Sequence, residues 1–154
     1  MQKGRRVAFD VGAARIGVAT CDPDAILASP QPFVERNDGD VQACLRIVEE
    51  IGAVAIYVGL PVNLEGKWTP STFEALYFAQ DLEELTTTRV RLIDERLSTR
   101  TAQAQMREAG RNVKNSRKDI DSASAVEILE RAIEILKAGR DAGLTTEQAE
   151  QRSH

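Results

Sequence analysis

The sequence predicts an α/β protein built on a mixed sheet of about five strands with helices on both faces, and three observations point that way. The stretch 6–21, RVAFDVGAARIGVATC, sets two short apolar runs on either side of a small-residue turn, the pattern of an antiparallel hairpin. Residues 53–60, AVAIYVGL, are apolar at successive positions, as a strand covered on both sides requires. After that strand, helical and strand patterns alternate, so antiparallel pairing comes first and crossover connections follow.

Taken in order, Val7, Ala8 and Phe9 run into Asp10, Gly12 opens the turn, and 16–21 return as the second strand. Asp22-Pro23-Asp24 reads as a turn, after which 26–29 or 32–35 forms a third short strand. Pro30 and Pro32 cannot donate to a ladder and place it at an edge. A polar break at 37–40 caps a helix on which Val41, Cys44, Leu45, Val48 and Ile51 share one face, and Gly52 stops it. The strand at 53–60 ends on Pro61, and 63–68 form a loop. Ser71 and Glu74 have capping-box spacing, and Ala75, Phe78, Ala79, Leu82 and Leu85 trace the buried face of the next helix. A strand at 90–93 ends on Asp94 and Glu95. Ser98 or Thr99 caps a helix that stops near Gly110, and the basic stretch 111–118, RNVKNSRK, reads as a mobile loop. A long helix then runs from Asp119 to about Lys137, with Asp121, Ala125, Ile128, Ala132 and Ile135 on one side of it. Residues 139–154 read as a polar tail that frays.

The chain of 154 residues has the size of one domain and shows no internal repeat. No apolar run approaches the ~20 residues needed to cross a bilayer. The basic start MQKGRR is followed by Asp10 without a long apolar region, so a cytoplasmic protein with no membrane partner is expected. Cys21 and Cys44 fall in apolar patterns without ligand spacing and read as small core residues, a redox role being the alternative. The only histidine is His154, so carboxylates, lysines or hydroxyls must carry any chemistry. The net charge of -4 argues against a nucleic-acid partner, but its distribution argues for one. Between Arg91 and Lys118, eight Lys/Arg face three acidic residues, a local balance of +5. Such a run is either a solvated face or the lining of an anionic ligand's path.

Each acidic residue has an ordinary explanation by itself. Asp10 can be a turn residue bonding nearby amides, Asp121 a cap or dipole partner, and Asp94 a structural residue facing the other side of its strand. Together they suggest more. Asp10 and Glu95 close apolar strands, while Asp121 starts a helix on its inward side, and in an open α/β sheet these ends meet at the ligand-binding edge. Three converging carboxylates repel one another unless a divalent cation neutralises them, and oxygen-only ligands favour Mg²⁺ or Mn²⁺. A site of this kind hydrolyses phosphodiesters without histidine.

The stretches FDVGAARIGVA, YVGLPVNLEG, DERLST and KDIDSASAVEILE, in that order, resemble the bacterial pre-16S rRNA nuclease family, also described as Holliday junction resolvase-like, of YqgF or RuvX type. The resemblance covers roughly residues 5–136 and implies an RNase H-like nuclease domain over 1–138. It also implies metal-dependent hydrolysis of structured nucleic acid in maturation of the 5' end of pre-16S rRNA, with Mg²⁺ or Mn²⁺. The implied partners are rRNA precursor, branched DNA or ribosomal particles, and the protein is a monomer or homodimer. Carried over by motif, Asp10, Glu95 and Asp121 become the catalytic, metal-binding acids, with Asp10 bridging two ions. Arg15 would lie near substrate phosphate, its alternative being an exposed hairpin arginine. Lys114, Arg117 and Lys118 would grip backbone phosphates or remain solvated. The chain departs from the family pattern at Ala14, where relatives carry a polar or basic residue, and at Leu64-Glu65-Gly66, which replaces Met-Asp-Gly.

Arg96 and Ser98 are expected to order the turn after Glu95, and Trp68 either stacks on a base or packs on the neighbouring helix. Three rivals remain open. A resolvase for branched DNA would need a symmetric pair of chains. A sugar-kinase-like phosphotransferase would need a second lobe around ATP, which 154 residues do not supply. A non-catalytic module binding nucleic acid or the ribosome would keep the fold without turnover.

Overall fold

A computed structural model of the chain describes residues 1–95 and 122–153. The predicted helix near 98–110, the loop 111–118 with Lys114, Arg117 and Lys118, and the residues 119–121 with Asp121 lie outside the described residues. So do Arg96, Ser98 and the only histidine.

Five strands form one mixed sheet: β1 (Arg6–Val11), β2 (Arg15–Cys21), β3 (Ala28–Glu35), β4 (Ala55–Leu60) and β5 (Arg89–Asp94), in the order β3-β2-β1-β4-β5. The first three are antiparallel, and β4 and β5 run parallel to β1 and to each other. All six residues of β4 are buried, as its unbroken apolar run requires. The proline-bearing strand is β3, at the edge, and it spans both stretches between which the sequence reading was divided.

Helices α1 (Asp40–Ile51) and α2 (Pro70–Leu85) cover one face and α3 (Ala123–Lys137) the other. Strand alternation sorts the core accordingly. Val7, Phe9, Ile16, Val18, Ile56, Val58, Val90 and Leu92 pack toward α1 and α2. Ala8, Ala19, Tyr57 and Ile93 pack toward α3, against Ala125, Ile128, Leu129 and Ala132. Gly52 ends α1 in the left-handed conformation that glycine allows at little cost. The α2 cap differs from the expected Ser71 and Glu74: Thr69 is the N-cap, and the reciprocal partner is Thr72, whose hydroxyl also donates to the Pro61 carbonyl. Pro70 fixes the first helical position and so shifts the start two residues earlier than the capping-box spacing suggests.

The polar tail is also different from expectation. Residues 146–152 form a fourth helix, α4 (Thr146–Arg152), capped by Thr145, and Ala142 and Ala149 are fully buried. Leu144 exchanges two backbone hydrogen bonds of 2.8 Å with Leu92 at the β5 edge, and Thr146 donates to Glu83 of α2 at 2.7 Å. This anchorage comes from backbone pairing and two alanines, which leave no hydrophobic period to read. Among the described residues, no helix is long and apolar enough to cross a membrane.

Candidate metal centre at the end of the sheet

The strand ends that carry the predicted acids come to one edge and one face. Asp10 is two residues beyond Ala8 in β1, and Glu95 two beyond Ile93 in β5, so both acids share the face that packs on α3. The Glu95 amide donates to the Leu60 carbonyl at 3.2 Å, which continues the β4–β5 pairing up to this residue. Between the two strands, β4 presents Gly59 to the same face. A Cβ there would stand 2.9 Å from the Glu95 carboxyl carbon and 2.5 Å from Ile128 Cδ1. The missing side chain is the space in which the Glu95 carboxylate and the α3 side chain lie.

Burial acts on both acids, and the Asp10 charge acts on Glu95. Desolvation raises the Asp10 carboxyl above its ordinary value. Glu95 is pushed up to about 8, by burial first and then by the negative charges of Asp10 and Asp94. Two buried carboxylates on one face form a hard-oxygen donor set of the kind that suits a divalent cation. Among the described residues no group of three or more potential ligands is assembled, and the third predicted acid, Asp121, lies outside them.

Asp10 is mounted on a hairpin held from two sides. At Gly12 the chain turns so tightly that a Cβ would stand 2.8 Å from the Arg15 carbonyl, to which the Gly12 amide donates. Arg36 donates to the Gly12 carbonyl at 2.9 Å and pairs with Asp40 at 2.9 Å, tying the turn to the start of α1. On the other side, Ser122 is fully buried at the head of α3. Its hydroxyl accepts from the Val18 amide at 3.0 Å and donates to the Gln31 carbonyl at 2.7 Å. It fills the gap where β3 bulges past β2, between the pairs Ile16–Val34 and Val18–Gln31.

A family model described as "RuvX: Holliday junction resolvase" matches residues 4–135. The chain belongs to this family. It is 43% identical over 141 residues to a protein of Clavibacter sepedonicus named "Putative pre-16S rRNA nuclease", covering 90% of this chain and 88% of that one. It is 47% identical over 131 residues to a protein of the same name from Corynebacterium jeikeium, covering 83% and 84%. In three dimensions it is similar to T. thermophilus RuvC, solved in complex with a Holliday junction substrate. The TM-score is 0.64 at 12% identity, over 92% of this chain and 99% of that one. The fold is therefore the RNase H-like one that the motifs imply.

Within this RuvX family chain, Arg15 stands on the same sheet face as Asp10 by strand alternation, and its guanidinium lies 4.9 Å from the centre of the Phe33 ring. Trp68 is packed edge-on against Phe73 of α2, ring centres 5.0 Å apart, and joins the α1–α2 core. Of its two predicted roles, the structure shows the packing one. Asp94 takes the opposite strand face from Glu95, as alternation requires. Four residues are not singled out by the sequence. Gly59 looked like one more member of an apolar run. Arg36 and Asp40 did carry a readable signal, the (i, i+4) spacing of an ion pair. Ser122 carried none beyond standing next to Asp121, because its partners are 91 and 104 residues away.

Proposed function

We propose that this chain is a metal-dependent nuclease that hydrolyses phosphodiester bonds of structured nucleic acid, acting in maturation of the 5' end of pre-16S rRNA. The observation that carries the reading is the pairing of Asp10 and Glu95 on one face at one sheet edge, with Glu95 held near neutrality by burial and by Asp10. The names of relatives 43–47% identical over most of the chain support the rRNA assignment.

In this reading Asp10 and Glu95 hold the divalent cation, Mg²⁺ or Mn²⁺, and Asp121 completes the ligand set. Asp121 is bonded to Ser122, whose hydroxyl is clamped between β2 and β3. Bound cations supply the Lewis acidity that activates water and stabilises the departing oxygen. In the metal-free protein Glu95 keeps its proton at neutral pH and releases it when the site takes up positive charge. Arg15, on the Asp10 face, orients a substrate phosphate, while Lys114, Arg117 and Lys118 hold the backbone on either side.

The test is to incubate the protein with precursor rRNA fragments and with synthetic four-way DNA junctions in parallel, in Mg²⁺, Mn²⁺ or EDTA. The precursor is cut only with metal, and Asp10→Asn and Glu95→Gln abolish the cut while leaving the far-ultraviolet spectrum unchanged. Paired nicks in the junction with an intact precursor would assign the resolvase role instead. Metal-dependent cleavage by Asp10→Asn would remove the proposed centre.

A further inference from the structure

Beyond the acids, the most distinctive chemistry lies behind β5. A cleft of about 560 Å³ opens between β5, α3 and α4, lined by Leu92, Ile93 and Asp94 on the strand and by Arg131, Arg140 and Arg152 around it. Charge is segregated here against the composition of the segment. Residues 122–153 contain four Lys/Arg and six Asp/Glu, yet three of the four cations line this cleft and only one of the six acids, Asp141, does so. The groove on the other flank of α3 has the reverse character, with Glu130 and Glu134 beside Lys137. Including Asp94 and Asp141, the arginine-lined cleft keeps a balance of +1 in a chain of net charge -4. Among the described residues none of its three guanidiniums lies within ion-pair distance of a carboxylate, and Arg131 alone is felt by a neighbouring acid, Glu127.

We infer that this cleft is a second grip on the nucleic acid, taking backbone phosphates that lie away from the bond being cut. The inference rests on the nuclease reading for the identity of the polyanion, and on the cleft for the contact itself. The strand supplies continuity: the lining includes Leu92, Ile93 and Asp94, so the cleft flanks the end of β5 that carries Glu95. Guanidiniums suit the role, since each offers a planar fork of donors that matches a phosphate. Arg140 and Arg152 are exposed, and Arg131 on α3 is half-buried.

Salt dependence of binding reads such contacts directly, because each neutralised phosphate releases counterions. Binding of a precursor rRNA fragment is measured in EDTA, which holds cleavage off, over a range of salt concentrations. The variants are Arg140→Gln with Arg152→Gln, and Arg140→Lys with Arg152→Lys. The glutamine pair lowers the slope of log K against log[salt] by about 1.4 to 1.8, or about 0.7 to 0.9 per lost contact. The lysine pair, which keeps the point charges, restores most of it. An unchanged slope in the glutamine pair, with wild-type protein binding steeply, overturns the cleft and leaves the nuclease reading standing. Wild-type protein that neither binds nor cuts any nucleic acid removes both. Polyglutamate bound by the wild type and lost in the glutamine pair, with the RNA slope unmoved, overturns the inference in favour of an acidic protein partner.

Discussion

Replacing Glu95 by Gln should stabilise the metal-free protein, and increasingly so as pH rises. The Glu95 carboxyl is pushed from 4.5 to about 8, so ionising it in the folded state costs about 5 kcal/mol more than in the unfolded chain. Between these two values the folded protein holds a proton that the unfolded chain has released. Stability from this group is therefore fully present below about 4.5 and is lost progressively as pH climbs to about 8. From about pH 6 to about pH 8.5 the loss is about 2.5 kcal/mol, or roughly 5–10 °C in Tm for a chain of this size. Glutamine has the same shape and cannot ionise, so the variant escapes this slope, while burial keeps the Asp10 carboxyl raised in both proteins. Thermal unfolding in EDTA across this pH range measures the difference. Repeating it with saturating Mg²⁺ or Mn²⁺ should close the gap or reverse it, because a bound cation favours the ionised carboxylate. Parallel pH profiles for the two proteins in EDTA would show that Glu95 is not confined beside Asp10, and the electrostatic account of the site would fail.

Three further outcomes follow from named contacts. Gly59→Ala places a methyl within 2.9 Å of the Glu95 carboxyl and should displace it, reducing cleavage at least tenfold at a stability cost of about 1–3 kcal/mol, read by urea unfolding beside a cleavage assay. Ser122→Ala leaves the buried Val18 amide and Gln31 carbonyl without their partner, a loss of about 1–3 kcal/mol in the same unfolding assay, and an unaltered midpoint would show that the bulge closes without the hydroxyl. Cys21 and Cys44 are buried, and burial first, then the Asp40 charge, holds the Cys44 thiol up at about 12. Neither should react with a thiol reagent at neutral pH until the protein is unfolded; rapid labelling in the native state would revive a redox role.

The sheet was legible because its signals are local. The hairpin, the apolar run of β4 and the helical faces of α1 and α2 each lie within fewer than twenty consecutive residues. Asp10 and Glu95 were legible for the same reason, as acids that close apolar strands. What the sequence left unread depends on contacts between distant segments. The Ser122 hydroxyl replaces a ladder bond of a bulge that is itself visible only as Pro30 and Pro32. Leu144 joins the sheet by pairing with Leu92, and no periodicity announces two backbone bonds. On α3 the buried side turned out to include Leu129 and Ile133, while Ile135 is half-buried in the arginine-lined cleft. The predicted stripe had followed steps of three and four without knowing which flank meets the sheet.

The difference between the two cores bears on the site. The α1–α2 side is filled by Val, Ile, Leu and Phe, whereas the α3 side of the sheet offers Ala8, Gly17, Ala19 and Gly59 to Ala125 and Ala132. Larger side chains, Tyr57, Ile93, Ile128 and Leu129, complete this core, and the absence of a side chain at Gly59 lets Ile128 and the Glu95 carboxylate lie against the β4 backbone. Burial raises both Asp10 and Glu95, and the charges of Asp10 and Asp94 raise Glu95 further. A larger residue at 59 would push against Ile128 and the Glu95 carboxyl and so loosen the geometry in which the two acids would share a cation. If the proposed cation binds here, it relieves the repulsion between Asp10 and Glu95, so affinity for metal and instability without it at alkaline pH should rise or fall together across variants of this face.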